Sequence, residues 1–258
     1  MNWLPPNGAL HGAALDHLLG LNLLIVFWLF VAAQVLIVVA LFRRGTRSST
    51  AKSGRVLLII DYAVLLAVIG LYWWMLASSH RLWAAAREQP STNPAIQVEV
   101  TGVQFQWYFR YPGRDSVYGA VKPNLVNAPA GNPLGLDPSD PHAADDVVSS
   151  ILLLPAGQPV DLTLRSQDVI HGFFVPGMRL KQDAIPGMSG HLSFTPEATG
   201  DYVILCSQVC GLGHYRMQAR LRVVTLDQFN AWIASRERAA LSANAESSVP
   251  NPSTGAAR

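Results

Sequence analysis

The chain has 258 residues, half of them hydrophobic and 14% charged, with a formal net charge of +2 at pH 7. That length allows one domain of ordinary size plus further segments, and the balance points to a membrane protein with a soluble part. The net charge says nothing about nucleic acid, but no basic patch laced with aromatics appears, so no nucleic-acid partner is expected.

Residues 1–17 carry no Lys or Arg and read as an extracytoplasmic N-terminus. Residues 18–42 hold no charge at all. A membrane span needs about 20 apolar residues, so this stretch predicts a transmembrane helix. A second apolar run covers 56–77, broken only by Asp61. The segment between them, 43–55, carries Arg43, Arg44, Arg47, Lys52 and Arg55 and no acid. The positive-inside rule places it in the cytoplasm, with the N-terminus and everything after the second span outside. Tyr72, Trp73 and Trp74 sit where the second span would meet the outer interface. A cleaved signal peptide is the alternative for the first span. The missing basic n-region and the length of the apolar run speak against it. Gln34 and Asp61 are polar groups at membrane depth, which usually face protein, so a larger membrane partner is implied.

From residue 95 the pattern changes to short alternating apolar runs separated by Gly, Pro, Asn and Asp. Strands are predicted at 96–100, 105–111, 151–154, 159–164, 169–175, 191–194, 202–205 and 217–224. So many short strands predict an all-β sandwich or small barrel over 95–224. Residues 112–150 read as a long loop, acidic through Asp137, Asp140, Asp145 and Asp146. Such a loop is either merely solvated or a docking surface for a basic partner. Residues 225–242 predict a helix, opened by the capping box Thr225-Leu-Asp-Gln228. The tail 243–258 is rich in Ser, Ala, Asn and Pro and reads as disordered. No Cys-x-x-Cys-His follows, so no c-type haem attachment is expected.

The chemistry is concentrated in Cys206-Ser-Gln-Val-Cys210-Gly-Leu-Gly-His214-Tyr-Arg-Met217, which holds the only two cysteines of the chain. Thiolate, imidazole and thioether form the ligand set of a copper site that moves electrons. A blue-copper site uses one cysteine and two histidines. Two cysteines could instead bridge a pair of copper ions, and His171 is the best candidate for the second histidine. A disulfide would close a very small ring and stabilise little. Zinc usually takes cysteines with two residues between them, and methionine is a poor zinc ligand. His191 reads as structural, and Met178 and Met188 as packing or exposed residues. His11, His17, His80 and His142 have no partners at ligand spacing.

This loop resembles the dinuclear copper A loop of subunit II of the haem-copper oxidases. Ser166-Gln-Asp168-Val-Ile-His171-Gly-Phe-Phe-Val-Pro176 resembles that family's first-histidine segment. Lys181-Gln-Asp183-Ala-Ile-Pro186-Gly187 and Gln106-Trp107-Tyr108-Phe109 are similar to two further family motifs. The resemblance runs from the two spans to about residue 236. It implies a cupredoxin-like sandwich behind two N-terminal transmembrane helices. It implies two coppers bridged by Cys206 and Cys210, one also held by His171 and Met217, the other by His214 and the carbonyl of Gln208. It makes Trp107 the surface port for electrons from cytochrome c. It further implies subunit I, with its haem, and subunit III as partners, in a bacterial cytoplasmic membrane with the copper domain on the periplasmic side. The expected function is electron transfer to a haem-copper oxidase that reduces dioxygen and pumps protons, with no catalysis by this chain alone. Three departures mark a divergent member. Gln208 replaces a Glu that also helps bind magnesium at the subunit boundary, which puts that metal in question. Met188 stands where arginine is common. The second span lacks the family's Glu and Trp-Thr-x-x-Pro elements. A nitric oxide reductase subunit and a membrane-anchored copper delivery protein are the rival readings.

Overall fold

The structure, a computed structural model, describes residues 4–43, 53–87 and 95–247. It divides into two units, Ala13–Glu88 and Met1–Gly12 with Gln89–Arg258. The first unit consists of helices α1 (Gly12–Arg43) and α2 (Ser53–Arg87). Within them Gly12–Phe42 and Leu58–Ala84 are long and apolar enough to cross a membrane. Leu36 is 68% exposed and Leu66 67%, so apolar faces stand open over the length of both helices. Surface of this kind belongs against lipid or another chain. Both helices run past the apolar stretches read from the sequence, because polar turns at a span's ends extend the same backbone hydrogen-bond ladder. Most of the basic segment expected at 43–55 lies outside the described residues, as does the tail from 248.

The second unit is a sandwich of two five-stranded sheets. Its strands are β1 (Ile96–Val103), β2 (Gln106–Tyr111), β3 (Val147–Ser149), β4 (Ile151–Pro155), β5 (Val160–Ser166), β6 (His171–Val175), β7 (Leu180–Ala184), β8 (Gly190–Phe194), β9 (Gly200–Cys206) and β10 (Gln218–Val224). One sheet has the order β3-β2-β1-β5-β8, the other β4-β10-β9-β6-β7. Most pairs are antiparallel; β1 with β5 and β4 with β10 are parallel. Strand alternation fills the space between the sheets. On β5, Val160, Leu162 and Leu164 are buried while Asp161 and Thr163 are less so. Leu152 and Leu154 of β4, Phe173 and Val175 of β6, and Leu221 and Val223 of β10 face them across the core. The Tyr111 hydroxyl is buried but satisfied, donating to the Leu153 carbonyl at 2.9 Å and accepting from its amide at 2.8 Å. Helix α3 (Leu226–Ser247) carries on past the expected end at 242. Its capping box is closed in both directions, Gln228 N to Thr225 Oγ1 at 3.3 Å and Thr225 N to Gln228 Oε1 at 3.2 Å. Trp232 packs edge-on to Tyr111 at 5.2 Å.

The residues ahead of α1 are built into this sandwich. Gly8 N donates to Gly177 O at 2.8 Å, Leu10 N to Thr195 O at 3.1 Å and Glu197 N to Gly8 O at 2.8 Å. Ala9 is wholly buried.

The long loop differs from its sequence reading. It contains three short 3-10 turns, Pro123–Leu125, Ala128–Ala130 and Pro141–Ala143, before β3. Its acids are consumed internally. Asp146 is 4% exposed and paired with Arg110, itself 2% exposed. Burial pushes the Asp146 carboxyl upward, and its contacts with Arg110 oppose that shift. Asp137 pairs with Lys122 at 2.5 Å, and Asp140 accepts from the amides of Ala120 and His142. Asp145 accepts from Arg114 N at 2.8 Å. An acidic docking surface built on Asp146 is thereby corrected: this carboxylate anchors the loop and cannot meet a donor. Asp146→Ala leaves the buried guanidinium without that partner and is expected to cost about 3 kcal/mol of stability. Denaturant unfolding of the detergent-solubilised chain measures this; an unchanged midpoint would show that the pair contributes nothing.

Candidate metal centre

Three strands of the second sheet meet at one end of the sandwich. β6 begins at His171, β9 ends at Cys206, and Met217 leads into β10. Cys206 N donates to Met217 O at 3.1 Å and Ser207 N to Gly172 O at 2.8 Å, so the ligand loop is tied to both neighbouring strands. The short turn His214–Arg216 returns the chain to β10.

The side chains converge accordingly. Cys206 Sγ and Cys210 Sγ lie 3.8 Å apart, and both cysteines are free. Cys206 Sγ is 4.0 Å from His171 Nδ1, and the Cys206 thiol donates to the Gln208 carbonyl at 3.2 Å. Cys210 Sγ is 3.8 Å from His214 Nδ1 and 3.7 Å from Met217 Sδ. His171, Cys210 and Met217 are 0%, 4% and 2% exposed. Two thiols, two imidazoles, a thioether and a carbonyl therefore converge, with His171, Cys210 and Met217 buried and Cys206, Gln208 and His214 partly exposed. That donor set fits copper; the thioether and the count of six do not fit a four-coordinate structural zinc. Burial and the adjoining Cys206 thiol push the Cys210 thiol up to about 11, so a cation must replace its proton before the sulfur can ligate.

The surroundings fix the histidine. His171 Nε2 donates to Asp168 Oδ1 at 2.7 Å, which leaves Nδ1 with its lone pair on the sulfur side. Asp168 also accepts from the amides of Gln104 at 2.6 Å and Val169 at 2.7 Å. Partial burial pushes this carboxyl up, but the bonds from His171 and the two amides outweigh it and hold it below the ordinary carboxylate range. Gly102 faces the other side of the ring, where a Cβ would come within 2.8 Å of His171 Cδ2. Gln104 Nε2 donates to Cys210 O at 2.6 Å. Asp168 and Gln104 are partners that ligand spacing alone did not single out. Asp168→Ala frees the imidazole to turn and is expected to weaken metal binding about tenfold, read as competition with a chelator of known strength. Unchanged competition would remove Asp168 from the site.

Trp107 requires a correction. It was expected at the surface and is fully buried, because strand alternation on β2 sends Trp107, Phe109 and Tyr111 inward. Its ring stands edge-on to His171 at 5.8 Å and to Phe173 at 5.5 Å. The residues left out of the ligand set lie elsewhere. His191 pairs across from Thr163, His142 bonds Asp115 at 2.5 Å, Met178 is in the core and Met188 is exposed. At the position where magnesium was in question, the Gln208 amide donates to Asp183 Oδ2 at 2.8 Å.

The family profile described as cytochrome c oxidase subunit II, periplasmic domain, matches residues 96–224, half of the chain. The chain belongs to the cytochrome c oxidase subunit II family. It is similar to the alternative cytochrome c oxidase subunit 2 of Bradyrhizobium diazoefficiens, at 38% identity over 65% of this chain and 64% of that one. It is also similar to cytochrome c oxidase subunit 2 of a Synechocystis strain, at 30% identity over 57% of this chain and 35% of that one. The match thus spans less than two thirds of either relative. Among solved structures, the periplasmic domain of subunit II of the cytochrome oxidase of Bradyrhizobium japonicum aligns with 58% of this chain and 99% of its own. That alignment has 24% identity and a TM-score of 0.42. Members of the subunit II family are named as oxidase components, and this chain pairs the family's sandwich with two helices fit to anchor it in a membrane.

Proposed function

We propose that this chain is the copper-bearing subunit II of a haem-copper oxygen reductase in a bacterial cytoplasmic membrane. It accepts single electrons from cytochrome c, or another soluble donor, on the periplasmic side. It passes them to haem in subunit I, where dioxygen is reduced and protons are pumped; subunit III is a further partner. The observation that carries this reading is the meeting of six donor atoms within one end of the sandwich. Cys206 and Cys210 would bridge two coppers, His171 and Met217 completing one and His214 with the Gln208 carbonyl the other. A copper pair held so supplies a one-electron relay whose charge is shared between both metals and both sulfurs.

The protein's own part is to hold the ligands still and dry. The sheet ends fix Cys206 and His171, Asp168 fixes the ring, and burial of Cys210 and Met217 keeps water away. A rigid cage changes little between redox states, which favours fast transfer. A copper carrier would need open, exchangeable ligands, and the burial of His171 speaks against that role. The pinning of residues 8–10 to the sandwich supports a hairpin of two spans with both ends outside. Metal analysis and electron paramagnetic resonance of the full chain test the reading. Two coppers per chain with a delocalised signal are expected; one copper with a single-ion spectrum, or stoichiometric zinc, would overturn it.

A further inference from the structure

We propose that Asp183 is a positioning residue for the metal centre: it latches the Gln208 side chain and thereby holds the Gln208 carbonyl toward Cys206. The inference rests on the copper reading above and deepens it. A main-chain carbonyl is a weak, neutral donor, and its direction follows the orientation of its peptide. The peptide that carries the Gln208 carbonyl continues into Val209, which is 87% exposed, and Leu212 farther along the loop is 98% exposed. The tip of the loop therefore has no apolar anchor of its own. The Phe105 ring lies against Gly211 and Gly213 farther along, and the peptides on either side of Gln208 are held by polar bonds from outside the loop. Ser207 N is bound to Gly172 O on one flank, and Cys210 O accepts from Gln104 on the other. Between these flanks Gln208 Nε2 donates to Asp183 Oδ2 at 2.8 Å.

Asp183 is well placed for this. It lies on β7 directly opposite Gly172, the residue after His171. Its other oxygen, Oδ1, accepts from Lys181 Nζ at 2.9 Å in an exposed ion pair, so Oδ2 is the oxygen that serves the loop. One carboxylate thus couples the strand that carries the first histidine to the loop that carries both cysteines. Without the latch, the Gln208 side chain and the peptide behind it gain rotational freedom, and the carbonyl loses its fixed aim at Cys206.

The test uses the full chain in detergent, loaded with copper ions, with four variants: Asp183→Ala, Asp183→Asn, Gln208→Ala and Lys181→Ala. Asp183→Ala and Gln208→Ala should each still take two coppers at saturation, with affinity lowered about tenfold and an altered hyperfine pattern. Asp183→Asn keeps an oxygen acceptor for Gln208 and should restore the wild-type spectrum. Lys181→Ala removes only an exposed ion pair and should leave the spectrum unchanged. The double variant Asp183→Ala/Gln208→Ala should lose no more affinity than either single, as expected for two ends of one bond. A wild-type spectrum and affinity in Asp183→Ala would overturn the proposal, as would equal damage from Asn and Ala, or additive losses in the double variant. If Asp183→Ala fails to fold, Gln208→Ala reads the same bond from the loop side, and wild-type behaviour there overturns the proposal equally. Failure of the wild-type chain itself to take two coppers would instead mark the failure of the copper reading.

Discussion

Cys206→Ser and Cys210→Ser are each expected to abolish the paired metal site. The two sulfurs lie 3.8 Å apart, and between them they touch every other donor of the cage. A serine hydroxyl is harder than a thiol and far less acidic, so it neither suits Cu(I) nor ionises readily to bridge two cations. Even an outer partner of a ligand typically changes affinity by roughly 10–100-fold, and a bridging ligand should exceed that range. The two variants should differ in stability. Cys210 is 4% exposed, so Ser there buries a hydroxyl at a cost of about 1–3 kcal/mol if it finds no partner. Cys206 is only half-buried and should tolerate the change better. Copper per chain should fall from two to one or none, with the delocalised signal replaced by a single-ion one. Retention of two coppers and the delocalised spectrum in either variant would mean that its sulfur is not a bridge.

The donor set was legible in the sequence because its spacing is local. Five of the six candidate donors lie within twelve residues, 206–217, and the thiols, imidazole and thioether among them already point to copper. The core strands were legible because alternation in segments such as 160–164 reports burial directly. Two strands were missed for physical reasons. β3 is three residues long, too short to show a period, and β7 is an edge strand of mixed polarity, Leu180-Lys-Gln-Asp-Ala184. What the sequence hides is pairing over distance. Arg110 and Asp146 are 36 residues apart, and Asp183 and Gln208 are 25 apart. Acids that pair inward look, along the chain, the same as acids that face water. Asp146 was counted as an exposed acid of the loop for that reason, and the Asp168 contact to His171 went unused although it spans only three residues.

Trp107→Ala is expected to lower stability by about 3–5 kcal/mol, the range for removing a large buried aromatic ring. The ring fills the space between His171 and Phe173, and Gly102 closes on its Cζ3 edge. The cavity would also release His171, so the Ala variant should disturb the metal spectrum as well as the fold. It is therefore a poor probe of electron uptake, which a surface residue would have allowed it to be. Trp107→Phe separates the effects. Phenylalanine keeps an aromatic edge near His171 and removes the indole N–H, which is buried with no hydrogen-bond partner among the described residues. Losing an unsatisfied donor offsets part of the lost volume, so the cost should be only about 1 kcal/mol. Its metal spectrum should match that of the wild type. If the copper reading holds, electron uptake from the reduced donor should nonetheless slow, because the larger and more easily oxidised indole is the aromatic group against His171, the proposed ligand. Stopped-flow reduction by the donor, compared at equal copper content, measures this. Wild-type rates in Trp107→Phe, with an intact spectrum, would make Trp107 a packing residue and send the electron path through another side chain.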